Sequence, residues 1–239
     1  MEQQQDIIVR KANIADIHFA KTITDEMEAS AKARGTGIAK REPEYIEKKM
    51  LEGKAVIAIT PDNKWVGFCY IETWSHGDYV ANSGLIVAPE FRKSGVAKRI
   101  KQAVFNLSRE QYPNAKIFGL TTGLAVMKIN SELGYEPVTY SELTQDEAFW
   151  AGCKSCVNYD ILTMKERKNC LCTAMLYDPA DHYEPKETQQ HFEEKKEAYE
   201  RLMESKQSRF LKVFRRKEKK EKKGQQRRSL VSMLLTLFA

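Results

Sequence analysis

The chain has 239 residues, 42% hydrophobic and 30% charged, which is enough for one well-packed core. No run of 18 apolar residues occurs and the start, MEQQQD, lacks the features of a secretion signal, so we expect a cytoplasmic protein. The net charge of +6 comes from residues 206–228, where 12 Lys and Arg accompany 2 Glu, which leaves −4 for the rest. The basic balance therefore does not indicate that a folded domain binds nucleic acid.

Strands and helices alternate along the first part of the chain. Hydrophobic periodicity predicts a strand, two helices and two further strands over residues 7–10, 14–33, 43–52, 55–60 and 65–74. Turn residues at 61–64 and 75–78 separate the later strands, and a buried strand is predicted over 81–87. A strand over 116–121 and a helix that ends near Gly134 follow. This alternation indicates an α/β architecture.

The run VAPEFRKSGVAKRI, residues 87–100, joins a buried strand to an amphipathic helix through a short basic turn. The apolar face of that helix consists of Val96, Ile100, Val104 and Leu107. At a helix N-terminus the first N–H groups have no intrahelical partner and the dipole favours anions, and Gly95 lets a phosphate approach the main chain. Arg92 and Lys93 add mobile positive charge. The alternative is an ordinary strand-to-helix turn whose glycine only eases the corner.

In this context the sequence resembles the GNAT superfamily of acyl-CoA-dependent N-acyltransferases, whose signature Q/R-x-x-G-x-G/A is matched by Arg92, Gly95 and Ala97. The resemblance covers roughly residues 6–178. It implies the GNAT fold, an α/β (α+β) arrangement with a mixed central sheet of splayed strands flanked by helices. We expect this domain over 1–178 and a charged helical extension over 179–239. The implied reaction is direct attack of an amine on an acyl-CoA thioester, in a cleft between two splayed strands.

The resemblance also implies which residues bind the acyl-CoA co-substrate. Backbone N–H groups in the basic turn would hold the diphosphate, and backbone groups of the preceding strand would pair with the pantetheine arm like an added strand. Asn130, on the last helix, would hydrogen-bond the cofactor, the alternative being an exposed surface residue. The expected cofactor-binding residues are Leu85, Ile86, Val87, Arg92, Lys93, Ser94, Gly95, Val96, Ala97 and Asn130.

The catalytic acid and base follow the family pattern less well. Many members place a Tyr four residues before the glycine that closes the last helix, and here that position holds Asn130, which cannot donate a proton as an acid. Tyr135 is the nearest phenol, although its place is usually a packing position. Glu72, on a strand beside the expected acceptor cleft, is the preferred base. The alternatives are a solvated side chain for Glu72 and a non-catalytic CoA-binding sensor for the whole protein.

The segment RGTGIAKR between the first two helices indicates the acceptor. Its Arg34, Lys40 and Arg41, with no acid among them, could clamp a carboxylate, the alternative being a flexible turn.

A looser resemblance, to the acetyltransferase domain of N-acetylglutamate synthases, rests on residues 121–122, 134–138 and 165–171. It implies a small-molecule amine acceptor, glutamate or a related amino acid, with acetyl-CoA or succinyl-CoA as donor. Amino-acid biosynthesis, arginine biosynthesis in particular, is the matching expectation. Acylation of protein lysines is the alternative.

Four of the five cysteines form two close pairs, Cys153 with Cys156 and Cys170 with Cys172. Such a grouping suggests a structural zinc site if the two pairs come together in the fold. The alternative is a set of reduced thiols. We expect the metal-free state. A hairpin of strands over 157–164 and 169–177 would separate the pairs by about 20 Å, unless a helix over 145–157 folds the first pair back.

The end of the chain changes character. Residues 184–223 are rich in Glu, Lys, Gln and Arg with a thin apolar stripe, which predicts a long amphipathic helix that docks on the domain or pairs in a homodimer. Residues 229–239 are apolar but too short to cross a bilayer. Attachment to a membrane surface is the less favoured alternative to a docked or disordered tail.

Overall fold

The computed structural model describes residues 6–35 and 40–182, together with Arg201. Its strands are β1 (Ile8–Lys11), β2 (Ala55–Ile59), β3 (Trp65–Trp74), β4 (Tyr79–Val87), β5 (Lys116–Thr121), β6 (Glu136–Val138) and β7 (Thr173–Tyr177). Its helices are α1 (Ala20–Arg34), α2 (Pro43–Leu51), α3 (Val96–Gln111), α4 (Leu124–Glu132), α5 (Glu147–Ala151) and α6 (Tyr159–Met164). The predicted long C-terminal helix and the apolar end of the chain lie outside the described residues.

All seven strands belong to one mixed sheet, in the order β1-β2-β3-β4-β5-β7-β6. Neighbouring strands are antiparallel except β4 and β5, which are parallel. Strand β2 is buried along its whole length and β3 along most of it, because helices cover both faces of this part of the sheet. The predicted α/β fold with a mixed sheet is confirmed.

The sheet opens between its two parallel strands. Only Tyr79, Val80 and Ala81 of β4 pair with β5. From Asn82 to Val87 strand β4 pairs with β3 alone, and from Gly119 onward β5 pairs with β7 alone. Because the two strands separate after three residue pairs, a gap remains in the middle of the sheet.

A bulge in β4 lies beside this gap. The pairing of β3 with β4 shifts register between Phe68 and Tyr70, and Gly84 has a φ of 66°. A Cβ at position 84 would lie 2.3 Å from the Tyr70 ring, so both the backbone conformation and the close packing require glycine. The bulge changes the direction in which the following residues of β4 present their polar groups.

Side chains alternate between two faces of the sheet, and we name each face by the helices that cover it. On the α1/α2 face, Phe68 and Tyr70 belong to a cluster with residues of both helices. On the α3 face, Ile71 packs with the apolar positions of α3, Ile100 and Val104 among them. Burial of each such side chain contributes about 1.5–3 kcal/mol, and the spacing of three and four along α3 therefore fixes which side of that helix meets the sheet.

The predicted hairpin over 157–164 and 169–177 is wrong in its first half. Residues 159–164 form α6, and Leu162 is buried in a cluster with Tyr140 and Trp150. A short run of alternating apolar residues does not distinguish a strand from a helix, and here packing against Trp150 selects the helix. The helix predicted over 145–157 is also shorter: α5 gives way to a 3₁₀ turn over Gly152–Ser155.

The helix predicted over 14–33 begins as a 3₁₀ turn over Ile14–Phe19 and continues as α1. Asp16 closes a capping box with Asn13 and accepts two hydrogen bonds from the Arg10 guanidinium, at 2.7 and 2.8 Å. Burial alone would raise the pKa of Asp16, but the hydrogen bonds from Arg10 and from the Asn13 N–H lower it overall. This ion pair fastens β1 to the start of the helical segment.

Candidate active site

A cavity of about 310 Å³ fills the gap between β4 and β5. Its lining includes Arg41 and Glu72 on the α1/α2 face, and Asn82, Lys101 and Asn130 on the α3 face. A wider depression of about 1050 Å³ lies beside α5 and α6, but no residue of β4 lines it. The gap, which we call the cleft, is therefore the candidate site because it brings groups from both faces of the sheet together.

The turn before α3 presents five successive backbone N–H groups, those of residues 93–97, which we call the anion cradle. Within the described residues none of the five donates to a protein acceptor. Lys93 and Gly95 have φ angles of 65° and 82°, and the space where a Cβ of Gly95 would stand is open. Unpaired donors, a helix N-terminus and open space together suit the binding of a phosphate.

Arg92 is held by the protein and is not the mobile cation expected from the sequence. Its Nε donates to the Val87 carbonyl at 3.1 Å, and its Nη2 donates to Glu26 at 2.6 Å and to Ser30 at 2.8 Å. These bonds tie the turn to both β4 and α1. Lys93 is exposed at the start of the anion cradle and, among residues 6–35 and 40–182, forms no ion pair, so its charge is the one available there.

The backbone of β4 offers polar groups to the cleft. The Ala88 N–H donates to the Val66 carbonyl, and Ile86 lies opposite Phe68. Antiparallel pairing makes successive residues point their N–H and C=O groups to opposite sides. Ile86 therefore bonds to β3, whereas Leu85 and Val87 direct their backbone groups away from β3. Leu85 lines the cleft, and the Val87 carbonyl already accepts from Arg92 Nε. The backbone groups of Leu85 and the Val87 N–H are the ones available to an extended ligand.

Asn130 is buried, with 1% of its surface exposed, and lines the cleft from α4. Its Nδ2 lies 3.7 Å from the Met175 sulfur, and its Oδ1 has no hydrogen-bond partner in the part of the chain that the structure describes. A buried amide oxygen without a partner is costly. A polar group of a ligand in the cleft would satisfy it, which is what the cofactor-binding prediction for Asn130 requires.

Glu72 lies on the α1/α2 face of the cleft and is 5% exposed. Tyr45 donates a short hydrogen bond to its Oε1, and the Arg41 guanidinium lies 3.5 Å from the same oxygen. Burial, followed by the Glu72 charge, raises the pKa of Tyr45 far above its ordinary value, so this phenol stays a donor. The carboxylate is therefore fixed in position at the edge of the cleft.

The three predicted acceptor-binding cations have different positions. Arg41 lies in the cleft, where its Nε donates to the Tyr70 hydroxyl at 3.1 Å. Arg34 also lines the cleft, from the end of α1. Lys40 is exposed and contributes its backbone N–H to Ser155 at 3.1 Å, and its side chain is not among those that line the cleft. Residues 36–39 of this loop lie outside the described part of the chain.

Tyr135 is buried beneath the α3 face of the cleft and is not one of its lining residues. Its hydroxyl donates to Asn82 Oδ1 at 2.9 Å, and burial raises its pKa well above 10. The same Oδ1 accepts from Lys101 Nζ at 3.3 Å, and Asn82 Nδ2 donates to Ser108 at 2.9 Å. Tyr135 thus orients Asn82. Its assignment as the catalytic acid stays a prediction, and its burial outside the cleft lining does not favour that role.

Several residues of the cleft were absent from the sequence prediction. Lys101, Asn82 and Tyr70 line the cleft, and Tyr45 contacts it through its hydrogen bond to Glu72. The sequence contains one indication that Lys101 is buried. It precedes Val104 by three residues and Ser108 by seven, and this helical spacing places the lysine on the buried side of α3.

The four clustered cysteines all line the cleft, on the side formed by α5 and β7. All are free thiols, and Tyr140 binds Cys170 Sγ at 2.8 Å and the Cys172 carbonyl at 2.8 Å. Burial and the neighbouring thiols raise the pKa of Cys153 to about 11 and that of Cys172 to about 12. Among residues 6–35 and 40–182, no three His, Cys, Asp or Glu side chains are placed to hold a metal ion, so the zinc alternative gains no support.

A mixed sheet that opens between two parallel strands, with unpaired N–H groups at the following helix, agrees with the GNAT fold that the motif around Gly95 predicts. Residues 26–126 match the model of the Acetyltransferase (GNAT) family. The chain carries a GNAT acetyltransferase domain, as the motif around Gly95 predicted.

Solved structures share the fold at low sequence identity. N-acetylglutamate synthase from Neisseria gonorrhoeae, complexed with coenzyme A and N-acetyl-glutamate, is 17% identical with a TM-score of 0.51 and matches 72% of this chain but 35% of its own. Rv2747 from Mycobacterium tuberculosis, in complex with CoA and a second ligand, is 18% identical with a TM-score of 0.51 over 72% of this chain and 98% of its own. The structure of yncA from Salmonella typhimurium with its cofactor acetyl-CoA is 13% identical with a TM-score of 0.51, and the match covers 76% of this chain and 99% of its own. The match to the synthase therefore spans about a third of that protein.

A search by sequence among curated proteins gives no match. In the described part of the chain, no helix has the length and apolar character needed to cross a membrane.

Proposed function

We propose that the domain transfers an acetyl or succinyl group from acyl-CoA to the amine of a small acceptor that carries a carboxylate, with glutamate as the specific candidate. One observation carries the proposal: the cleft is lined on one side by β4, the strand that leads to the anion cradle, and on the other by Glu72, its ion-pair partner Arg41, and Arg34. The first group suits an acyl-CoA, and the second suits an amino acid.

The donor would bind along β4. The anion cradle takes the diphosphate, because five N–H donors at a helix N-terminus compensate its charge. From there the pantetheine arm extends past Val87 and Leu85, where the Val87 N–H and the backbone groups of Leu85 pair with its amides as a neighbouring strand would. Asn130 Oδ1 accepts a hydrogen bond from the arm. This path leads the thioester toward the bulge at Gly84.

The acceptor would enter from the α1/α2 face. Arg34 and Arg41 bind its carboxylate, and Glu72, directly or through a water molecule, takes a proton from its ammonium group. Glu72 passes this first proton to solvent. The free amine then attacks the thioester carbonyl carbon, the nitrogen gives its second proton to Glu72, the C–S bond breaks, and the thiolate takes up one proton to leave as the thiol. Tyr45 holds the Glu72 carboxylate during this step.

The comparisons agree with such an acceptor without deciding it. The Neisseria synthase was solved with N-acetyl-glutamate, and its match to this chain covers 72% of the residues. A glutamate acceptor would give the enzyme a place in amino-acid biosynthesis, with arginine biosynthesis as the narrower expectation. Arg34 and Arg41, which both line the cleft, suit a carboxylate-bearing acceptor better than a lysine side chain.

A thiol-release assay across acceptors tests the proposal. We expect CoA release with acetyl-CoA or succinyl-CoA in the presence of glutamate, weaker release with glutamine, and none with a lysine peptide. Arg34→Gln should raise the KM for glutamate about 10-fold, one charge-assisted contact, and leave the KM for acyl-CoA unchanged. Turnover of the lysine peptide alone would overturn the acceptor, and CoA binding without any turnover would indicate a sensor.

A further inference from the structure

We propose that Lys101 is a catalytic residue: its ammonium contacts the thioester sulfur and gives the leaving CoA thiolate its proton. The inference rests on the proposed function, since it names the acid of the same reaction. It concerns a side chain on α3, a helix that also begins at the anion cradle.

Lys101 is buried, with 2% of its surface exposed, yet it lines the cleft. Its Nζ donates to Asn82 Oδ1 at 3.3 Å and lies 5.3 Å from the centre of the Tyr135 ring. Asn82 is the first residue of β4 beyond the last pair with β5. The ammonium therefore stands at the closed end of the cleft.

The position of Lys101 matches the expected position of the sulfur. Strand β4 rises about 3.4 Å per residue, so Val87 and Asn82 are about 17 Å apart, comparable to an extended pantetheine arm. An arm that starts at the anion cradle and follows β4 thus brings its thioester to the closed end, near Asn82. Glu72 approaches that end from the α1/α2 face and Lys101 from the α3 face. Base and acid then lie on opposite sides of the thioester, as attack and departure require.

The charge of Lys101 has no anionic partner. Among the described residues, no carboxylate forms an ion pair with its Nζ. Two titratable groups face it: Cys69 on β3, whose pKa burial raises to about 11, and Tyr135, whose pKa burial raises well above 10. Both are neutral near pH 7. A thiolate at the closed end is the anion that would compensate the buried ammonium.

The chemistry balances with the groups present. As the C–S bond breaks, its electron pair stays on sulfur, and the sulfur takes one proton from Lys101 Nζ. The lysine becomes neutral, a state that burial favours because it lowers the pKa of this amine. Solvent returns the proton after CoA leaves. Asn130 occupies the position at which many family members have a tyrosine that acts as the acid. Because an amide does not act as an acid, another side chain in the cleft has to donate the proton.

The test compares Lys101→Met with Lys64→Met, which removes the same charge from an exposed turn between β2 and β3. Calorimetry measures CoA binding, ultraviolet absorbance of the thiolate measures the pKa of the bound CoA thiol, and thiol release measures turnover. We expect Lys101→Met to bind CoA, to raise the bound thiol pKa by about one unit or more, and to lower kcat about 100-fold. Lys64→Met should match the wild type in all three.

The outcomes separate the two proposals. Unchanged thiol pKa, kcat and pH profile in Lys101→Met, with CoA bound, would overturn the role of Lys101 and leave the proposed function standing. Absence of CoA binding by the wild-type chain would overturn the proposed function itself. Lys101→Gln repeats the test with a polar side chain, so that a packing defect specific to methionine is recognised.

Discussion

Gly95 provides the sharpest test of the anion cradle. At a φ of 82°, Gly95→Ala strains the backbone and adds a methyl group to the open space above the cradle. Gly77→Ala is a matched control, because Gly77 also has a positive φ, 99°, and open space around its Cβ position, but lies between β3 and β4, away from the cradle. Any difference between the two variants in ligand binding therefore reports on the cradle.

The expected magnitudes follow from the geometry. A left-handed alanine costs about 1–2 kcal/mol, which lowers the Tm of a protein of this size by about 2–8 °C in either variant. In Gly95→Ala, displacement of the diphosphate removes at least one hydrogen bond to a charged group, worth about 1.5–3 kcal/mol. The Kd for CoA should therefore rise about 10- to 100-fold in this variant alone.

Isothermal titration calorimetry with CoA and with a pantetheine fragment measures the effect, and differential scanning calorimetry measures the Tm. The loss should appear for CoA and be absent for pantetheine, which lacks the diphosphate. If Gly95→Ala binds CoA with the wild-type Kd while its Tm falls as in Gly77→Ala, the diphosphate does not bind at residues 93–97 and the reasoning fails.

Two further predictions concern carboxylates. Glu72→Gln should lower kcat about 100-fold with little change in the KM for acyl-CoA, and a full kcat with an unchanged pH profile would remove Glu72 as the base. Asp16→Asn should lower the free energy of unfolding at pH 7 by about 1–3 kcal/mol, measured with urea. Because the folded-state pKa of Asp16 is lowered, this contribution is present above its unfolded pKa and is lost as the pH falls through the folded value. The two proteins should therefore converge in stability once the pH is below the folded pKa, and a constant difference would contradict the prediction.

Most of the fold was predictable because its elements are long and periodic. Strand β3 and helix α3 carry clear apolar patterns, and burial of those patterns decides their structure. Residues 157–164 carry a short pattern that suits a strand or a helix equally, and contacts with Trp150 from another part of the chain decide it. The failure lies in tertiary contacts that a local pattern does not contain.

The part of the site that consists of backbone N–H groups was predictable from the sequence. The cradle follows from glycine and helix geometry, which are local. The position of Arg92 depends on Glu26 and Ser30, 66 and 62 residues away in sequence, and the burial of Lys101 depends on contact with Asn82 of β4, the strand on which α3 packs. Lysine is usually exposed, so composition alone assigns Lys101 to the surface.

The opening between β4 and β5 has a consequence for inhibitor design. If the donor lies along β4 while the acceptor enters from the α1/α2 face, both must be bound at once, and steady-state rates should follow a sequential pattern with intersecting reciprocal plots. A single compound that joins the two substrates would place one part along β4 and its carboxylate beside Arg34 and Arg41. Such a compound should bind more tightly than either part alone, because the second part binds at the high effective concentration that the link provides.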